Sequence, residues 1–213
     1  MKLVDMPVRD YLNILASDAP APGGGSVSAL SAAQGAALVA MVCDLTIPKE
    51  KYSQHRDLCV RVKDDILSIY DELIIEIDKD TEAFNKVSAA FKLPKDTDEQ
   101  KAARSKAIQE ATVTATEVPY ETMALCMKGL EITQEIVGKS NSNAASDLGV
   151  AALNLLAGLK GAYLNVKINL PSIKDEAIAA GFEEAESMVA QAQKTAEKIY
   201  EEVLESLWRR RYF

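Results

Sequence analysis

From Val27 to Val42 the chain carries no charge and no aromatic ring, and alanine, serine and glycine recur on every side. A helix of this composition has no polar face to offer water, so it must be enclosed by other elements. Small side chains also let neighbouring backbones approach closely. The run is shorter than a bilayer requires, and Ser31, Gln34 and Gly35 interrupt its apolar stretch, so no membrane span is expected. It is introduced by Pro20-Ala21-Pro22-Gly23-Gly24-Gly25-Ser26. The prolines restrict the backbone before the glycines release it. Ser26 is placed to cap the helix. Such a glycine-to-helix junction either cradles an anion or polarised carbonyl on free N–H groups, or is a tight turn between packed helices. It has neither phosphate-loop spacing nor a preceding strand pattern, which argues against a nucleotide site.

The rest of the chain supplies helices to enclose it. Pro7 opens a first helix with Val8, Tyr11, Leu12 and Leu15 at helical steps. After Thr46-Ile47-Pro48, a long run to Phe91 keeps Leu58, Val62, Ile66, Ile69, Leu73, Ile77, Phe84 and Val87 on one stripe. Thr97-Asp98-Glu99-Gln100 is a capping box for the next helix, which Pro119 is expected to break or kink. The polar loop Gly138 to Asn143 precedes a helix beginning near Ala144. Gly161 to Pro171 alternates like a strand but equally suits a helix end, and a helix with an irregular finish at Asn169 is expected. Ser172 to Asp175 caps a long last helix whose glutamates form a solvated face. No linker or repeat divides residues 1–213, so the expectation is one all-α domain, a helical bundle around a small-residue central helix.

Net charge is −8, which disfavours a nucleic-acid surface; only Arg209-Arg210-Arg211 departs from that balance. Three separated cysteines, Cys43, Cys59 and Cys126, with no leader sequence, predict reduced thiols and a cytoplasmic setting. The single histidine, His55, makes a histidine-built metal site implausible and is expected to be exposed near a helix start.

Two carboxylates stand out. Position 80 lies three residues after Ile77 and four before Phe84, so the apolar stripe passes through Asp80. A carboxylate there is either hydrogen-bonded to a neighbouring helix or part of a working site where burial raises its pKa. Asp78 falls off the stripe and is expected to be solvated. Asp147 lies in a first turn, where a carboxylate compensates the helix dipole or belongs to a second cluster of N–H groups and polar side chains.

Taken in order, these pieces resemble the cyclodeaminase/cyclohydrolase family of folate enzymes. The likeness is carried by Pro22-Gly23-Gly24-Gly25-Ser26 and the alanine-rich helix, then by Asp78-Lys79-Asp80-Thr81-Glu82-Ala83-Phe84, Leu93-Pro94-Lys95 and Val118-Pro119. It returns in Ser146-Asp147-Leu148, Val150-Ala151-Ala152, Gly161 to Val166 and Ile168-Asn169-Leu170. The animal bifunctional enzymes have an arginine where this chain has Ala145. The resemblance implies an all-α homodimer acting, without a metal or any cofactor beyond its substrate, on a one-carbon derivative of tetrahydrofolate. Closer likeness to the stand-alone cyclohydrolases, in residues 146–152 and 165–169, implies hydrolysis of 5,10-methenyltetrahydrofolate to 10-formyltetrahydrofolate. The alternative is cyclodeamination of formiminotetrahydrofolate with release of ammonia.

On this reading Asp80 and Asp147 divide the proton transfers. Gly23, Gly24, Gly25, Ser26, Asn141, Ser146, Asn165 and Asn169 are expected to hold the substrate, with Lys139, Lys160 or Lys167 meeting its glutamate tail. The rivals are a non-catalytic helical binding protein and an interaction module using the acidic last helix.

Overall fold

Glycine at positions 23–25 lets the central helix start earlier than its capping signal suggests. A computed structural model describes residues 2–212, with side chains described as far as residue 208; the side chains of Arg209, Arg210 and Arg211 lie outside that range. The central helix, α2, runs over Gly24–Asp44 with Gly23 at its N-cap, and Ser26 sits inside the first turn instead of capping it. The Asp80 carboxylate accepts the Ser26 N–H at 2.8 Å, so a residue far along the chain serves the orphan donor. At 21 residues α2 is long and apolar enough to cross a membrane, unlike the shorter run read from sequence. Here it is a core helix with twelve buried residues.

Helices α1 (Val8–Leu15), α3 (Arg56–Phe91), α4 (Asp98–Ile136), α5 (Ala145–Asn169), α6 (Glu176–Ala180) and α7 (Ala185–Tyr212) complete the bundle, and no strand occurs among the described residues. Packing against α2 explains its composition. A Cβ at Gly158 of α5 would lie 2.8 Å from both the Ala32 Cβ and the Ser28 carbonyl oxygen, and one at Gly35 would lie 2.8 Å from the Ala151 carbonyl oxygen. Gly24 meets Asn165 at the far end, so α2 and α5 run antiparallel. The small side chains are thus consumed largely within one chain. On the other flank, Ile66, Ile69 and Leu73 of α3 join Met123 and Leu130 of α4 and Leu155 and Leu159 of α5 in the core.

The stripe on α3 stays buried through Ile77 but not to its end, because Phe84 is 41% exposed. Ser26 contacts Ile77 and Asp80, so α2 begins beside that turn, and beyond it only the small Ala83 and Ala90 of α3 are buried. Asp80 therefore lies where the core opens.

Of the break or kink expected at Pro119, the break does not occur, since α4 continues through it. Proline lacks the N–H that would bond the carbonyl of Ala115. The Asn169 side-chain amide, from the end of α5, donates to that same oxygen at 2.8 Å. Asn169→Ala is expected to destabilise the protein by about 1 kcal/mol, and adding Pro119→Ala, which restores the missing donor, should recover most of the loss. Chemical denaturation of the single and double variants measures both.

The last helix is interrupted where the sequence suggests continuity. Asp175 caps the short α6, Gly181 ends it, and Phe182 turns inward onto Tyr120 with ring centroids 5.2 Å apart. The strand-like stretch after Gly161 is helical to Asn169 and closes in a 3-10 turn over Leu170–Ser172. All three cysteines are buried and free, and burial pushes the Cys43 thiol up to about 12.

Candidate active site

The first turn of α2 and the seventh turn of α3 meet at Asp80. Its Oδ2 accepts the Ser26 N–H at 2.8 Å and stands 3.1 Å from the Ser26 hydroxyl oxygen. That hydroxyl also donates to the Ile77 carbonyl oxygen at 2.8 Å and lies 3.2 Å from the Thr81 hydroxyl. The anion at the helix start is thus the chain's own carboxylate. Asp80 Oδ1 takes no hydrogen bond from the described residues and occupies the space beside Gly25, where a Cβ would lie only 1.9 Å from it. Glycine at 25 is required by this approach. Gly24 is looser, with a hypothetical Cβ 3.4 Å from Asn165 Nδ2, and Gly23 has open space around it.

Burial pushes the Asp80 carboxyl above its ordinary value, and the Ser26 N–H and hydroxyl oppose the shift without cancelling it. The result is a desolvated carboxylate with one oxygen anchored and one available, an arrangement suited to exchanging protons with a bound substrate. Asn165 borders the same corner, its Nδ2 donating back to the Gly161 carbonyl oxygen at 2.9 Å.

The other expected site residues lie elsewhere. Asn141 is buried in a knot at the opposite end of α2: its N–H donates to Thr46 Oγ1, its Nδ2 to the Leu45 carbonyl oxygen, and its Oδ1 accepts from the Asn143 N–H. Gly138, at φ +72°, makes the left-handed turn into that knot. Ser146 is exposed and Asp147 half-buried in the first turn of α5. Asp147 is separated from Asn165 by about 27 Å along the α5 axis. One chain therefore does not bring Asp147 to Asp80. Asn169 is committed to the Ala115 carbonyl oxygen. Among the tail candidates, Lys139 donates to the Glu135 carbonyl oxygen, Lys160 bonds Gln193, and Lys167 rests over the Tyr163 ring. His55, at the α3 N-cap, is half-buried and beside Gln54.

Two acidic residues have roles the sequence reading did not give them. Asp78 is not merely solvated, because its Oδ1 accepts the Leu3 N–H at 2.6 Å and pins the N-terminal segment to α3. Glu76 is 3% exposed, with Oε1 accepting from Lys79 Nζ at 2.6 Å and Oε2 sealed without a hydrogen-bond partner among the described residues. It borders a cleft of about 360 Å³ between α3 and α4, together with Glu72, Lys79 and Glu121, which Asp80 does not line. The signal for Glu76 was present, since position 76 falls on the α3 stripe three residues after Leu73.

Burial also raises the Glu76 carboxyl, against the pull of Lys79. A carboxyl whose folded pKa exceeds its unfolded one binds protons more tightly when folded. Its contribution to stability is complete on the acid side of the ordinary carboxylate range and is lost as pH rises through the raised value. Glu76→Gln should therefore raise Tm by a few degrees near neutrality and flatten the dependence of Tm on pH over that window; thermal scans across pH measure it.

No group of three or more His, Cys, Asp or Glu placed to hold a metal occurs among the described residues. The described residues thus form an all-α bundle whose glycine-rich helix start clasps an aspartate from a neighbouring helix. The chain belongs to the formiminotransferase-cyclodeaminase family, whose model matches residues 7–203. It is 43% identical over 197 residues to a methenyltetrahydrofolate cyclohydrolase of Methylorubrum extorquens, covering 92% of this chain and 95% of that one. It is 38% identical to the formimidoyltransferase-cyclodeaminase of Sus scrofa, of which the match spans only 36%. The fold is shared with the crystal structure of a formiminotetrahydrofolate cyclodeaminase from Thermotoga maritima, at TM-score 0.79 and 24% identity over 98% of each chain.

Proposed function

We propose that this chain is a cytoplasmic methenyltetrahydrofolate cyclohydrolase that works as a homodimer. The observation that carries the reaction is the 43% identity, over nearly the whole of both chains, to a protein of that name. The Asp80 corner supplies the chemistry it needs. In 5,10-methenyltetrahydrofolate a cationic carbon lies between the ring nitrogen and the exocyclic nitrogen. Asp80 takes a proton from water as the water oxygen bonds to that carbon. It returns the proton to the ring nitrogen as the carbon–nitrogen bond there breaks. The hydroxyl proton of the adduct is released, leaving a formyl group on the exocyclic nitrogen. A carboxylate with a raised pKa suits both transfers, and its charge attracts the cationic carbon.

The dimer accounts for Asp147. The outward sides of α2 and α5 carry Val27 and Met41, with Leu45 just past the end of α2, and Val150, Leu153, Leu164 and Ile168, all exposed in the single chain. Ser31 Oγ donates to the Asn154 carbonyl oxygen at 3.1 Å midway along them, so the two faces adjoin. A two-fold axis through that midpoint would seat a second copy on this apolar surface. Because the helices are antiparallel, it would also carry Asp147 and Ser146 of that copy towards Asp80 and Asn165 of the first.

Offering both one-carbon substrates tests the reaction. With methenyltetrahydrofolate the methenyl absorbance should fall faster than in buffer. A rise with formiminotetrahydrofolate, and no acceleration with the methenyl compound, would assign cyclodeamination. Turnover of neither substrate, with no rise in Tm from either, would count against the enzyme reading and favour a non-catalytic helical protein.

A further inference from the structure

The apolar face shared by α2 and α5 carries a polar pair near its middle. Ser31 Oγ shares its hydrogen between the Asn154 carbonyl oxygen at 3.1 Å and Asn154 Oδ1 at 3.2 Å. Asn154 Nδ2 donates to the Val150 carbonyl oxygen at 3.1 Å. These bonds use one amide hydrogen and one lone pair of Oδ1. The other hydrogen and the other lone pair make no hydrogen bond among the described residues. The side chain is only half-buried and reaches solvent beside the exposed Val150 and Leu153. Against an apolar partner, such a carboxamide would bury an unpaired donor and an unpaired acceptor. Against another carboxamide it is self-complementary, because each supplies the N–H and the C=O that the other lacks. A two-fold axis is the operation that brings a residue onto its own equivalent.

We propose that Asn154 meets Asn154 of the second copy across that axis, in a reciprocal amide pair that sets the register of the dimer. The inference rests on the dimer proposed above. An apolar face alone tolerates sliding. With the amide pair in place, a slip of one helical turn breaks both hydrogen bonds and presses each amide onto apolar side chains. The register also bears on the site. Asp147 stands seven residues before Asn154 and Gly161 seven residues after it, each about 10 Å away along α5. The axis therefore sets the Asp147 turn of the second copy level with Gly161. Gly161 packs on Ser28 so closely that a Cβ would lie 2.3 Å from the Ser28 hydroxyl oxygen. One turn further on is Asn165, which borders the Asp80 corner.

Charge exchange at position 154 tests the self-contact. Asn154→Asp and Asn154→Lys each set two like charges face to face only if the residue meets its own copy. Each variant alone should dimerise about 100-fold more weakly than wild type, the scale of a like-charge clash across an interface. Mixed in equal amounts, the two should pair with each other, giving dimers with one Asp and one Lys chain at near wild-type strength. Light scattering reads the mass, native mass spectrometry the composition, and circular dichroism the folding of each variant. Should either misfold, Asn154→Glu with Asn154→Arg repeats the exchange. Variants that stay dimeric as wild type does, or that dissociate and show no preference for each other on mixing, would overturn the inference and leave the dimer standing. A wild-type protein that is monomeric at micromolar concentration would overturn the dimer and this inference with it.

Discussion

Asp80→Asn is expected to slow turnover of methenyltetrahydrofolate by about 10²–10⁴-fold, the usual share of general acid–base catalysis, with little change in KM. The substitution is close to a pure test of proton transfer. Asparagine keeps the size of the side chain, and its amide oxygen can still accept the Ser26 N–H now bound by Oδ2. It also removes a charge that burial disfavours, so Tm near neutrality should hold or rise. A purely structural Asp80 predicts the opposite pair of results, lower Tm and normal turnover per folded molecule. Measuring kcat and Tm on one preparation separates the two.

The second large effect is expected at Gly25. A methyl group there would sit 1.9 Å from Asp80 Oδ1 and 2.4 Å from its carboxyl carbon, closer than any real contact. Either the carboxylate swings off the Ser26 N–H or the first turn of α2 shifts, and both move the proposed base. Gly25→Ala should therefore lose turnover on the scale of Asp80→Asn, and also lose several degrees of Tm because a buried carboxylate is left without its donors. Gly24→Ala meets only ordinary contact with Asn165, and Gly23→Ala meets nothing within 4 Å, so both should stay near wild type. Equal sensitivity at all three positions would mean that the loop acts through its flexibility and not through the seat of Asp80.

These expectations show which parts of the molecule were legible in the chain. Periodicity alone places Asp80 on a buried stripe, and the same rule reaches Glu76 once position 76 is counted from Leu73. What periodicity does not carry is the partner across the bundle. Ser26 lies 54 residues from Asp80, and nothing local to either predicts that a helix start and a mid-helix carboxylate will meet. Pro119 shows the same limit, because the amide of Asn169 supplies the hydrogen bond that proline cannot, and α4 runs on. Tyr11 reads as one apolar member of an amphipathic helix until its hydroxyl proves to be sealed inside. The position of Asp147 depends on helix direction: α5 runs antiparallel to α2, which carries its first turn away from Asp80, and only the packed bundle reveals that.

If the reaction is performed at Asp80 in a site completed by Asp147 of a second copy, two inactive variants should complement each other. Asp80→Asn and Asp147→Asn proteins, each prepared alone, should both be nearly inactive. Unfolded together and co-refolded in equal amounts, they should regain about a quarter of wild-type activity, because half of the dimers are mixed and each mixed dimer holds one intact pair. Recovery of that size would establish a shared site. Full activity of Asp147→Asn alone, or no recovery on mixing, would contradict it.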